Sequence, residues 1–190
     1  MLKYPSLVQL VKDKGRKVVR DTAINIDFPD MNEEIGHTFC HYLYTGLYET
    51  LNANDIGSAE NMKTELCRTF LVRHAARLYD LPELEVLSNL KIDELHKKMQ
   101  ILSILAIWQE IYPKVSDDDL WFHQTLSAKL KYALAEDENL FLQKQFLELI
   151  GVEPRFLKTL FAMTAEICVG KIKEAQSQSY KGVDFIEGAL

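Results

Sequence analysis

A chain of 190 residues, 47% of them hydrophobic, can bury a real core, either as one domain with an extension or as two small ones. Eight glycines and five prolines argue against long structureless stretches, and a thinly spread net charge of −6 argues against a dedicated nucleic-acid surface. The exception is the first twenty residues, where Lys3, Lys12, Lys14, Arg16, Lys17 and Arg20 face only Asp13, a pattern that fits a solvated helix face or a nuclear-retention element. Cys40, Cys67 and Cys168 are scattered and odd in number, with no C-x-x-C, as expected in a reducing compartment. With no apolar run of the roughly eighteen residues a bilayer demands and no secretory signal pattern, the expected location is cytoplasmic or nuclear.

In chain order, "DTAINIDFPD" reads as a strand: Ala23, Ile24, Ile26 and Phe28 are interleaved with Asn25 and Asp27, and Pro29 ends it. Asp30 or Asn32 then caps a helix with Ile35, Phe39 and Leu43 inward, and Gly46 ends it just past Tyr44. A polar loop, "NANDIGSAENMK", leads to a helix from about Met62 to Tyr79 with Leu66, Phe70, Leu71, Ala75 and Leu78 on one face. Asp80-Leu81-Pro82 makes a corner, and Leu84, Leu87, Leu90 and Leu95 carry the pattern on to a stop at Pro113.

Ser116 and Asp119 form a capping-box-like start for a helix with Leu120, Leu126, Leu130 and Leu134 inward. A helix from Leu140 to Ile150 ends at Gly151, and Pro154 opens the last one, with Leu157, Leu160, Phe161, Ala165 and Cys168 as its apolar face. The tail "EAQSQSYKGVDFIEGAL" loses periodicity and is expected to fray. One strand cannot satisfy its own backbone, so it needs partners elsewhere.

His37 and His41 lie one helical turn apart with Cys40 beside them, which suggests a metal site. Against it, position 38 lacks the Glu of H-E-x-x-H, and no further ligand pair follows. There is no G-x-S-x-G and no phosphate loop, while the acidic pairs Glu33-Glu34 and Asp117-Asp118 sit where capping explains them. Neither catalytic nor cofactor-binding nor metal-ligating residues are assigned; the alternative of a small all-α enzyme or metal protein would rest on His37 and His41.

The order of the strand, "EIGHTFCHYLYTGLYETL" and "LCRTFLVRHAARLYDLPELEVLS" resembles the second half of a BTB/POZ domain, with Tyr42 to Gly46 matching its YLYTG element and Ala76, Tyr79, Leu81 and Leu84 its next helix. The resemblance implies a mainly α fold with an α+β remnant of one strand, followed by the helical extension found in many fungal members. On this reading residues 1–20 are a basic lead-in, 21–95 a partial BTB/POZ domain lacking its opening hairpin and first helix, 96–175 the extension and 176–190 a frayed tail. It also implies a non-enzymatic interaction module, serving as an adaptor for a cullin-based ubiquitin ligase or as a transcription-associated nuclear protein. The expected partner is a protein, either a cullin scaffold or a second copy, with no small-molecule substrate and no membrane. The expected contact residues are Tyr44, Thr45, Gly46, Leu47 and Tyr48, whose rings can bury their bodies and keep their hydroxyls wet.

Overall fold

The computed structural model describes residues 31–51, 58–115, 119–149 and 153–187, omitting the side chains of residues 34 and 178–187. Among these residues every regular element is helical. In chain order they are α1 (Glu33–Thr45), α2 (Ala59–Leu78), α3 (Pro82–His96), α4 (Ile101–Ile111), α5 (Leu120–Glu136), α6 (Lys144–Glu148) and α7 (Pro154–Glu187), with 3-10 turns at Tyr112–Lys114 and Leu140–Leu142. The α+β remnant expected from the sequence is therefore corrected to a mainly α fold. The strand at residues 21–28 and the basic lead-in fall outside the described residues. The chain divides into two compact units, one reaching Lys114 and one starting at Val115.

Local chemistry sets the helix ends. Asn32 accepts a hydrogen bond from the Ile35 amide at 3.0 Å, Ser58 from Asn61 at 3.1 Å, and Asp119 from Phe122 at 3.1 Å, each satisfying an amide that the first turn leaves unpaired. Pro82 opens α3, where its missing N–H costs nothing. At the corner before it, Asp80 takes a left-handed φ of 54°, a conformation Asp tolerates better than most side chains.

The core of the first unit starts with Ile35, Phe39 and Tyr42 of α1, which pack on Val72, Ala75 and Ala76 of α2 and on Tyr79, Leu81 and Leu84. Phe39 meets Tyr79 edge-on at 5.5 Å. The inward stripe of α1 runs through Tyr42, with Leu43 only half-buried at its margin. Leu43 and Tyr42 differ by one position, and 3.6 residues per turn allows either as the third contact. Arg73, buried on α2, donates from Nε to Asn89 Oδ1 at 2.6 Å and pairs with Glu85 at 3.0 Å, joining α2 to α3. On the other side of α2, Phe70 and His96 meet Trp108 of α4 at 5.6 and 5.4 Å.

In the second unit Phe122, Leu126, Leu130 and Leu134 of α5 are buried, as are Phe156, Leu160, Met163 and Ile167 of α7. Leu120, expected inward, is exposed, and the stretch expected as one helix over 140–150 is a 3-10 turn followed by the short α6. α7 runs on as helix to Glu187, through residues expected to fray. Among the described residues no helix is long and apolar enough to cross a membrane.

Candidate interaction surface

The segment after α1 doubles back on α2 and leaves a knuckle at its bend. Gly46 ends α1 with φ 74°, and its amide donates to Tyr42 O at 2.8 Å. Its added Cβ would meet nothing within 4 Å, so glycine is required by the backbone conformation and not by crowding. Thr45 locks the same bend from its side chain, donating to His41 O at 2.8 Å and accepting from the Leu47 amide at 3.1 Å.

The returning strand of chain is held by a buried polar cluster. Tyr48 Oη donates to Thr69 Oγ1 at 3.0 Å, and Thr69 donates to Glu65 O at 2.7 Å. Thr50 donates to Glu65 Oε1 at 2.8 Å, and Arg68 reaches both Glu65 Oε2 at 2.9 Å and Leu51 O at 3.3 Å. Glu65 and the Arg68 side chain are almost wholly buried, where a charge survives only if paired and hydrogen-bonded. Burial also pushes the Tyr48 phenol well above its ordinary value, and the nearby Glu65 carboxylate adds to that shift against the opposing Thr69 hydrogen bond.

Of the five residues expected at a contact surface, the structure keeps four together on the outside. Tyr44 is 91% exposed and Leu47 64%, with Thr45 and Gly46 exposed between them. Tyr48 instead turns inward as an anchor, half-buried against the α1–α2 core. A signal for this lay in the alternation of the sequence: past the Gly46 bend, Tyr48 and Thr50 face α2 while Leu47 and Glu49 face out. A further exposed apolar pair, Val86 and Leu90, lies one turn apart on α3, where Leu90 was expected in the core.

The two histidines stack, with ring centroids 6.2 Å apart. His41 Nε2 sits 3.2 Å from Glu49 Oε2, outside hydrogen-bond geometry but close enough to pair when the ring is protonated. Cys40 points away into solvent, and among the described residues no three His, Cys, Asp or Glu side chains gather as metal ligands. Two clefts of about 530 and 600 Å³ open beside the start of α1, both walled by Asn32, Ile35 and Leu71.

Two adjoining segments of this chain match the HAC6 N-terminal domain, over residues 7–99, and the HAC6 small helical domain, over residues 100–176. The chain thus belongs to the HAC6 family, with both of its domains in one continuous run. It is similar to subtelomeric hrmA-associated cluster proteins from two strains of Aspergillus fumigatus, each 35% identical over 137 residues, or 72% of this chain and 35% of the relative. The chain spans about a third of the length of the curated relatives it matches. No solved structure matches it.

These matches overturn the BTB/POZ resemblance, and the ligase-adaptor expectation drawn from it falls with it. The residues that carried it do general work: Tyr42 is a core contact, Gly46 a helix stop, and Tyr79 to Pro82 a corner between two helices. Such features recur wherever one helix ends and another begins. The domain border at residue 99 also differs from the border in packing. α4 belongs to the helical-domain match, yet its Trp108 is buried against Phe70 and His96 of the first unit.

Proposed function

We propose that this chain is a non-enzymatic protein-interaction module whose first unit presents the Tyr44–Leu47 knuckle to a protein partner. The observation that carries this reading is the pairing of extreme exposure with firm support. Tyr44 and Leu47 stand out from a bend held by Thr45 and Gly46, behind which Tyr48, Thr50 and Arg68 converge on buried Glu65. A bend already held in its bound shape loses little entropy on binding, and tyrosine is among the residues that most often dominate interface energies.

The test places a photo-crosslinking residue at position 44, and in a parallel sample at position 132, where Tyr132 is comparably exposed in the second unit. In cells of the source organism, position 44 is expected to give a defined adduct that position 132 does not. The captured protein, once purified, should bind the wild-type chain and lose affinity for Leu47→Asp. Identical adducts at both positions, or unchanged binding by Leu47→Asp, count against the proposal.

A further inference from the structure

The bend that carries Tyr44 and Leu47 has one fastening left unmade. Thr45 is bonded to His41 O and the Leu47 amide, Gly46 to Tyr42 O, and Thr50 to Glu65. His41, one turn from the end of α1, and Glu49, in the returning segment, also meet across the bend, with Nε2 3.2 Å from Oε2. That contact lacks hydrogen-bond geometry, and among the described residues His41 Nε2 is buried with no hydrogen-bond partner. Charge supplies what the neutral ring lacks. In a protonated imidazole both nitrogens donate, and a bond to a carboxylate becomes charge-assisted.

His37 decides which ring takes the proton. The two imidazoles stack 6.2 Å apart with 22° between their planes, so a charge on one opposes a charge on the other. His37 Nδ1 is buried with no acceptor among the described residues, and a charge there would be stranded, whereas His41 has Glu49. Cys40, between them in sequence, is exposed. On α2 and α3, against which α1 packs, Glu65 is engaged with Arg68, and Arg73 and Arg77 with Glu85. His74 and Lys114 line the cleft beside the other end of α1.

We propose that His41 and Glu49 form a proton-operated clasp across the foot of the knuckle, closed when His41 is protonated and open when it is neutral. Histidine is the side chain that ordinarily changes charge between pH 5 and 8, which sets the clasp's working range. Tyr48 and Thr50 tie the returning segment to α2, and Glu49, pointing the other way, ties it to α1. Apparent affinity scales with the fraction of molecules in the binding shape, so acid strengthens partner binding, provided the knuckle binds a protein as proposed above. The Glu49 side chain is 60% exposed, which keeps the clasp a modest device, with an expected effect of about two- to fivefold.

A double-mutant cycle on the full chain tests the clasp without any partner. Wild type, His41→Gln, Glu49→Gln and the double variant are unfolded in urea at about pH 5.5 and about pH 8, either side of the histidine range. The two sites should couple at the lower pH by about two- to fivefold in the unfolding equilibrium, and the coupling should be lost at the higher. His37→Gln should leave it in place. By nuclear magnetic resonance, the Glu49 carboxyl carbon of wild type should shift in step with the His41 imidazole, a readout that needs no variant to fold. Coupling equal at the two pH values, coupling abolished by His37→Gln, or a Glu49 carboxyl blind to His41 overturns the proposal. Calorimetry with the partner captured through position 44 should show acid-strengthened binding that Glu49→Gln removes. If position 44 captures nothing while the coupling is present, the clasp stands and the knuckle is no binding surface. Binding without coupling overturns the clasp alone.

Discussion

Replacing Glu65 with Ala should be among the most damaging single changes in the first unit, and the structure sets its size. The Glu65 carboxylate accepts from Thr50 at 2.8 Å and Arg68 at 2.9 Å, with Glu65 3% exposed. A hydrogen bond to a charged group contributes about 1.5–3 kcal/mol, but the two share one acceptor and do not simply add. The larger effect is on Arg68, whose buried guanidinium keeps Leu51 O but loses the carboxylate 2.9 Å away. Removing one member of a buried pair costs about 3–5 kcal/mol, and we expect a loss near 3–4 kcal/mol, the retained Leu51 contact holding it below the upper limit. Urea unfolding followed by circular dichroism measures it, with the slope unchanged if the folded state stays compact. Glu65→Leu combined with Arg68→Met should recover much of the loss, because neither charge is then stranded. A loss below about 1 kcal/mol for Glu65→Ala would refute the reasoning and mean that the 48–51 segment is not held by this cluster.

Two further predictions concern the same unit. Trp108→Ala should destabilise by about 3–5 kcal/mol, since the indole is 0% exposed between Phe70 and His96. A fragment ending at residue 99 should accordingly unfold at lower urea than one ending at residue 114; equal midpoints would restore the family border as the structural one. The Tyr48 phenol has its pKa raised in the folded chain, so its contribution is fully present below about pH 10, the unfolded value, and is lost as pH rises above it. Alkaline titration of stability should show that fall, and Tyr48→Phe should flatten it.

Much of the secondary structure was legible because helix ends are local chemistry. Asn32, Gly46, Pro82 and Pro154 each act on amides or dihedrals within four residues, and each marks a boundary in the structure as expected, whereas Asp119, expected as the inner partner of a start at Ser116, is itself the cap of α5. Helix faces were less legible. Periodicity identified Leu160 as apolar-face but could not separate it from Phe161, because α7 has two stripes and only neighbouring helices decide which is covered. Leu90 and Leu120 failed for the same reason, each lying on an apolar series that its helix turns toward solvent.

The knuckle was found from its tyrosines and glycine, whereas its support was not. Glu65 and Arg68 are an i, i+3 pair on α2, but Thr50 and Leu51 lie 15 and 17 residues from the members they meet, across the bend, and no spacing rule links them to that pair. The family was misread because a helix stop followed by a helix corner carries little information beyond its own geometry. Residues 7–176 as a whole, not those two features, carry the match to HAC6.

The central claim is that Tyr44 and Leu47 bind a protein. Its most direct test is the dissociation constant of the partner captured through position 44, measured by calorimetry for wild type, Tyr44→Ala and Leu47→Ala. Both side chains are exposed, so both variants should keep wild-type stability. The account predicts that at least one weakens binding by about 2 kcal/mol, close to thirtyfold. Wild-type affinity in both would contradict it and remove the knuckle as the binding surface.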